Sequence, residues 1–119
     1  MLEKSFAEHF AAEWISAWNS RDLERILSHY SDDFEMSSPV ITQITGEPSG
    51  KLRGKKAVGT YWGRALELMP TLRFELSEVL VGADSVTLCY IGPRGKSAEV
   101  FFFDDDGLVY KAAAHYQIK

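Results

Sequence analysis

The hydrophobic period differs between the two parts of the chain, and that difference limits the folds open to it. Up to Met69 the long apolar patterns recur every third or fourth position, in three segments, whereas beyond Pro70 apolar residues come in short β-branched and aromatic runs separated by glycine-containing turns. The first pattern is the buried face of α-helices and the second is that of β-strands. Helices first and strands last predict an α+β chain, with the helices packed on one face of an antiparallel sheet.

In the helical half, Phe6, Phe10, Trp14 and Trp18 fall on every fourth position with Ala7, Ala11 and Ile15 beside them, predicting a helix from about Lys4 to Asn19. Ser20 is placed to cap a second helix carrying Leu23, Ile26, Leu27 and Tyr30, which Ser31-Asp32-Asp33 ends. Phe34 to Val40 alternates weakly around Pro39, as a short edge strand would. Thr42 to Gly54 has Gly46, Pro48, Gly50 and Gly54 and no apolar period, so it reads as a flexible excursion long enough to form a lid. A third helix, from about Lys55 to Met69, presents Val58, Tyr61, Trp62, Ala65 and Leu66 on one face before Pro70. Four strands follow, Leu72 to Val81, Ser85 to Ile91, Lys96 to Phe103 and Leu108 to Ile118, in an antiparallel meander. No repeat or linker divides residues 1–119, which read as one domain.

Composition narrows the function classes. A chain of 119 residues, 45% hydrophobic, buries one core and not two. With 13 basic against 17 acidic side chains, it lacks the positive field of a nucleic-acid-binding protein. The basic cluster Lys51, Arg53, Lys55 and Lys56 reads as a solvated loop and first helical turn. Cys89 is alone, which argues against a disulfide framework and for a reducing compartment. No apolar run approaches the roughly 20 residues that span a bilayer, and Met1-Leu2-Glu3-Lys4 does not open a signal peptide, so the expected location is cytoplasmic. His9, His29 and His115 have no partners at ligand spacing, and Asp104 to Asp106 reads as turn chemistry before Gly107, so no metal is expected. Gly54, Gly59 and Gly63 do not follow a strand, and no nucleotide cofactor is implied.

The order of elements, with Ser20-Arg21-Asp22-Leu23, Tyr30-Ser31-Asp32-Asp33-Phe34, Ser38-Pro39, Gly54-Lys55-Lys56-Ala57-Val58 and Asp106-Gly107-Leu108-Val109 in sequence, resembles the nuclear transport factor 2-like superfamily. The resemblance covers nearly the whole chain. It implies the cystatin-like cone of ketosteroid isomerases and polyketide cyclases, with three N-terminal helices packed on a curved antiparallel sheet around an interior pocket.

Glu99 is the leading candidate for chemistry. A tight turn at Asp105-Asp106 pairs Glu99 with Ala112, Phe101 with Tyr110 and Phe103 with Leu108, and Ala114 then leaves a hollow beside the carboxyl. A carboxyl in an apolar hollow has a raised pKa, because desolvation penalises its charged form. The alternative is a surface ion pair with Arg73 or Lys96. The resemblance to ketosteroid isomerases places Glu99 where that family keeps a protonated acid to donate a hydrogen bond to an oxyanion. It also places Ser38 where the isomerases have their aspartate base and Trp14 where they have a tyrosine, so their reaction is not the one implied here.

Trp14, Trp18, Tyr61 and Trp62 form either ordinary core or the wall of a pocket for a flat apolar ligand. Tyr30, Tyr90, Tyr110 and Tyr116 add hydroxyls, Phe101 and Ala112 share the sheet face of Glu99, and Ser38 either bonds backbone or touches ligand. The expected function is binding of a small hydrophobic molecule, with isomerase, cyclase or hydrolase chemistry at Glu99. A non-catalytic binder, or an interaction module with a filled interior, is the alternative. On the opposite sheet face Ala98, Val100, Phe102, Val109 and Ala113 are left uncovered by helices, so a homodimer centred on Val100 and Phe102 is expected there.

Overall fold

The computed structural model describes residues 1–118. Its helices are α1 (Lys4–Ser20), α2 (Leu23–Leu27), α3 (Pro39–Thr45) and α4 (Lys55–Leu68), and its strands are β1 (Tyr30–Ser37), β2 (Lys51–Arg53), β3 (Glu75–Val81), β4 (Ser85–Gly92), β5 (Gly95–Phe103) and β6 (Val109–Tyr116). The strands form one sheet in the order β2-β1-β6-β5-β4-β3. Every neighbouring pair is antiparallel except β1 and β6, which run parallel. The α+β class therefore holds, with four helices rather than three and one parallel pairing in a sheet expected to be antiparallel throughout.

The expected stripe of α1 is its buried face, with Ala7, Phe10, Ala11, Trp14 and Trp18 all in the core. The helix stops at Arg21, which takes a left-handed φ of 63°. The Arg21 guanidinium then donates to the carbonyls of Leu66 and Met69, tying the end of α1 to the C-terminus of α4. Asn19 closes the other side. Its amide donates to Phe74 O at 2.9 Å and accepts from Phe74 N at 2.8 Å, fixing the entry to β3.

Several boundaries differ from the sequence reading, among them the strand expected from Leu72, which begins at Glu75 and leaves Phe74 in the segment before it. Ser20 turns its hydroxyl back to Ala17 O, and Asp22 caps α2 instead by accepting from Arg25 N at 3.2 Å. That helix ends at Leu27, because His29 O accepts from Val109 N and Tyr30 already pairs with β6. Pro39 starts α3 rather than ending an edge strand. Ser38 Oγ accepts from Val40 N at 3.1 Å, and a proline in the first turn gives up an N–H that the helix does not use. The expected Thr42 to Gly54 lid is thus the end of α3, a turn and the edge strand β2, whose pairing with Glu35, Met36 and Ser37 puts β1 inside the sheet.

The β5–β6 register is also two residues from the expected one. Glu99 faces Ala114, Phe101 faces Ala112 and Ser97 faces Tyr116. Beyond Phe102↔Lys111 the next pair is Phe103↔Val109, which leaves Tyr110 as the extra residue of a β-bulge. The bulge reverses the local alternation. Tyr110, expected on the pocket face, is 43% exposed and approaches Phe102, while Val109, expected on the outer face, is fully buried in the core.

No described helix is long and apolar enough to cross a membrane. Because Asn19 satisfies two backbone groups of Phe74 at once, Asn19→Ala should lower stability by about 1–3 kcal/mol, read as a shift in the urea midpoint at unchanged slope. An unchanged midpoint would show that water replaces both bonds freely.

Candidate functional site

Alternation along β5 turns Ser97, Glu99, Phe101 and Phe103 inward, toward α1 and α4. Glu99 is 4% exposed. On β4, Val86, Leu88 and Tyr90 face the same way, and Tyr90 lies opposite Ser97, one diagonal step from Glu99. The Tyr90 hydroxyl donates to Glu99 Oε1 at 3.0 Å. This is the one side-chain hydrogen bond the carboxyl receives among the described residues, and neither Arg73 nor Lys96 forms an ion pair with it. Burial pushes the Glu99 pKa up to about 7, with the Tyr90 hydroxyl opposing the shift only in part. The same burial pushes the Tyr90 and Tyr30 phenols well above their ordinary value, and the neighbouring Glu99 charge adds to it.

Beside Glu99 lies a cavity of about 60 Å³. At roughly 10–15 Å³ per water in this measure, it has room for about four. Trp14 and Trp18 of α1, Tyr61 and Trp62 of α4, and Glu99 and Tyr116 of the sheet all line it. Trp14 stacks on Phe74 with ring centroids 5.4 Å apart and planes 8° from parallel, and Trp18 meets Trp62 edge to face at 5.2 Å. The Trp18 indole N–H is buried without an acceptor among the described residues.

The other candidates fall elsewhere. Tyr30 is buried behind the wall, where its hydroxyl accepts from Trp14 Nε1 at 2.9 Å and so fixes the Trp14 ring. Phe101 is fully buried and packs against Phe10 and Trp14, with Ala112 opposite it on β6, so both belong to the core under the cavity. Ser38 is buried and caps α3, although its hydroxyl is near enough to Tyr61 and Tyr116 to oppose the rise that burial imposes on both phenols. Tyr110 lies on the outer face for the reason given above.

Residues outside the expected set complete the lining. Phe74 comes from the segment before β3, Val40 from α3, and Gly92, Pro93 and Arg94 from the β4–β5 turn. The cavity is bordered by this turn, not by residues 42–54. The sequence leaves the direction of Tyr90 open, because its strand has no clean apolar alternation, and the structure turns it inward with Val86 and Leu88. A turn residue such as Arg94 has no periodic signal to announce its direction. No described His, Cys, Asp or Glu residues cluster as metal ligands would.

The SnoaL-like domain model matches residues 11–118. The chain belongs to the SnoaL-like domain family. This SnoaL-like domain is 55% identical to a SnoaL-like protein of unknown function from Burkholderia thailandensis, over 98% of each chain, with a TM-score of 0.94. It shares its fold with a cystatin-like protein of unknown function from Methylobium petroleophilum, at 16% identity over 99% of this chain and 80% of the other, with a TM-score of 0.77. It likewise resembles SalBIII, an epoxide hydrolase/cyclase-like enzyme of pyran ring formation in salinomycin, at 16% identity over 99% and 95% of the two chains, with a TM-score of 0.76. No curated protein matches its sequence. The nuclear transport factor 2-like expectation holds for this SnoaL-like domain at the level of family and fold.

A raised carboxyl pKa links stability to pH with a definite sign. Between the ordinary glutamate value of 4.5 and about 7 the folded state binds more protons than the unfolded one, so stability falls as pH rises through that window. At about 1.4 kcal/mol per pH unit, the loss is on the order of 3 kcal/mol by pH 8. Urea titrations at pH 5 and pH 8 should show Glu99→Gln gaining that amount relative to the unmodified protein. Parallel pH profiles for the two proteins would contradict a raised pKa.

Proposed function

We propose that this SnoaL-like domain binds a small, largely apolar, oxygen-bearing molecule in the Glu99 cavity, and that Glu99 exchanges a proton with it in an isomerisation, cyclisation or hydrolytic ring opening. The carrying observation is a buried carboxyl that receives one hydrogen bond, from Tyr90, and lines a cavity walled by aromatic rings, a setting that raises its pKa toward neutrality. Such a group is divided between acid and base near neutrality, which suits it to donate a proton and recover it within one turnover. The Glu99 carboxyl and the Tyr61 and Tyr116 phenols of the lining support an oxygen on the ligand, since a hydrogen-bond partner recovers the desolvation of a buried polar group. The likeness to SalBIII supports the reaction class by analogy of fold. Ligand sites usually occupy some 300–1,000 Å³; against that range, about 60 Å³ favours a compact ligand, or one whose remainder lies in the mouth.

A non-catalytic binding role is the second reading. It is favoured by Ser38, which stands where related isomerases have a base and instead caps α3. Tryptophan fluorescence with small cyclic epoxides and β-dicarbonyl compounds, followed by product analysis, separates the two. The enzyme reading expects quenching with turnover, and Glu99→Gln should keep binding while losing about 100-fold or more in rate. Turnover by Glu99→Gln at the unmodified rate would remove Glu99 from the chemistry, and binding without conversion supports the second reading.

We also propose that a second copy of the chain covers the outer sheet face, where Leu80, 53% exposed, shares a row with Thr87 and Val100, and where Phe102 and Tyr110 lie against each other. Sedimentation should give twice the 13.4 kDa chain mass, and Phe102→Asp should give the monomer mass. A monomer at micromolar concentration for the unmodified protein would refute this assembly.

A further inference from the structure

The β4–β5 turn brings one cation to the cavity. Gly92 pairs with Gly95 across the two-residue turn Pro93-Arg94, and Gly95 has a φ of 88°, a conformation that favours glycine. A Cβ on Gly92 would come within 3.0 Å of two Phe74 ring atoms, so the missing side chain is what allows the turn to settle on that ring. Arg94 is thereby half-buried and lines the cavity, with its guanidinium carbon 6.0 Å from the centroid of the Tyr116 ring. A guanidinium at this distance is attracted to the ring face.

Arg94 has no ion-pair partner within 4.0 Å among the described residues. Glu99, the one carboxyl in the cavity lining, is governed by burial and Tyr90, not by Arg94. Tyr61 and Tyr116 line the same cavity, and the charge of Arg94 opposes in small part the rise that burial imposes on both phenols. A lining that is aromatic and aliphatic apart from Ser97 and Glu99 therefore carries at its border a cation with no ion-pair partner among the described residues.

We propose that Arg94, with the Tyr61 and Tyr116 hydroxyls, recognises a carboxylate, and that the ligand of this cavity is a small apolar acid whose hydrocarbon body lies against Trp14, Trp18, Trp62 and Phe74. The inference rests on the reading of the cavity as a ligand site and names its ligand class. A guanidinium fork matches the two coplanar oxygens of a carboxylate, and charge-assisted hydrogen bonds of this kind are about twice as strong as neutral ones. A lone arginine with two phenols is a poor match for a phosphate dianion, with its three oxygens and greater charge. Glu99, lying deeper in the sheet, remains free for the proton exchange proposed above.

Calorimetric titration of benzoate, phenylacetate and cinnamate, each alongside its primary amide, tests this on the unmodified protein, Arg94→Gln and Arg94→Lys. The expected result is that at least one acid binds the unmodified protein about tenfold or more tighter than its amide, the range set by a hydrogen bond to a charged group. Arg94→Gln should bring that ratio near one while leaving the amide affinity within about twofold, and Arg94→Lys should restore part of it. Equal binding of acids and amides by the unmodified protein would overturn the carboxylate assignment and leave the ligand-site reading standing. Equal weakening of both classes by Arg94→Gln would overturn it too, showing that Arg94 only packs on Tyr116. Failure of every acid and every amide to bind at millimolar concentration would remove the ligand-site reading, and this inference with it.

Discussion

The Glu99 carboxyl receives a single hydrogen bond from the protein, the Tyr90 hydroxyl at 3.0 Å, in a surrounding made of aromatic rings. A carboxylate removed from water needs several donors or a cation to remain ionised as it does in solution. Here one phenol supplies one bond, and no described basic side chain is paired with it. The protonated form is therefore favoured well beyond the usual glutamate range. The surrounding elements maintain that imbalance. Trp14 is held by its bond to Tyr30 and by its stack on Phe74, and Phe74 is held by both ends of the Asn19 amide.

The arrangement separates three tasks that a small pocket has to perform. The rings of α1 and α4 exclude water and hold apolar surface, Glu99 supplies a titratable proton, and the β4–β5 turn borders the cavity. Ser38 shows how the same scaffold is diverted. A hydroxyl that ends one strand and begins α3 is committed to the Val40 N–H, so the cavity has one carboxyl and no second base beside it. Membership of the SnoaL-like family fits this division, because the fold supplies the cavity and individual side chains supply the reaction.

Long periodic segments were legible in the sequence, and short or irregular ones were not. The repeat of Phe10, Trp14 and Trp18 identified the buried face of α1, and alternation along β5 placed Glu99 and Phe101 on the inner face. Their register came out two residues away, which preserves facing and so left the inward direction of Glu99 intact. Tyr110 and Val109 were misplaced because a single bulge reverses alternation, and nothing in the local sequence marks it. The strand β2 has three residues, too few for a period, and exists through its pairing with β1. Ser38-Pro39 is an ordinary helix start that was read as a strand end, since a weakly alternating run before a proline suits either. Arg94 and Phe74 lie in a turn and a connecting segment, whose directions are set by tertiary packing alone.

Burial not balanced by partners keeps Glu99 protonated well above the ordinary glutamate range, with protonated and ionised forms in comparable amounts near neutral pH. Carbon-13 NMR of the glutamate side-chain carboxyls, with Glu99→Gln used to assign the resonance, reads this directly in the folded protein. The expected result is a Glu99 titration midpoint near pH 7. A midpoint at the ordinary glutamate value of 4.5 would contradict it.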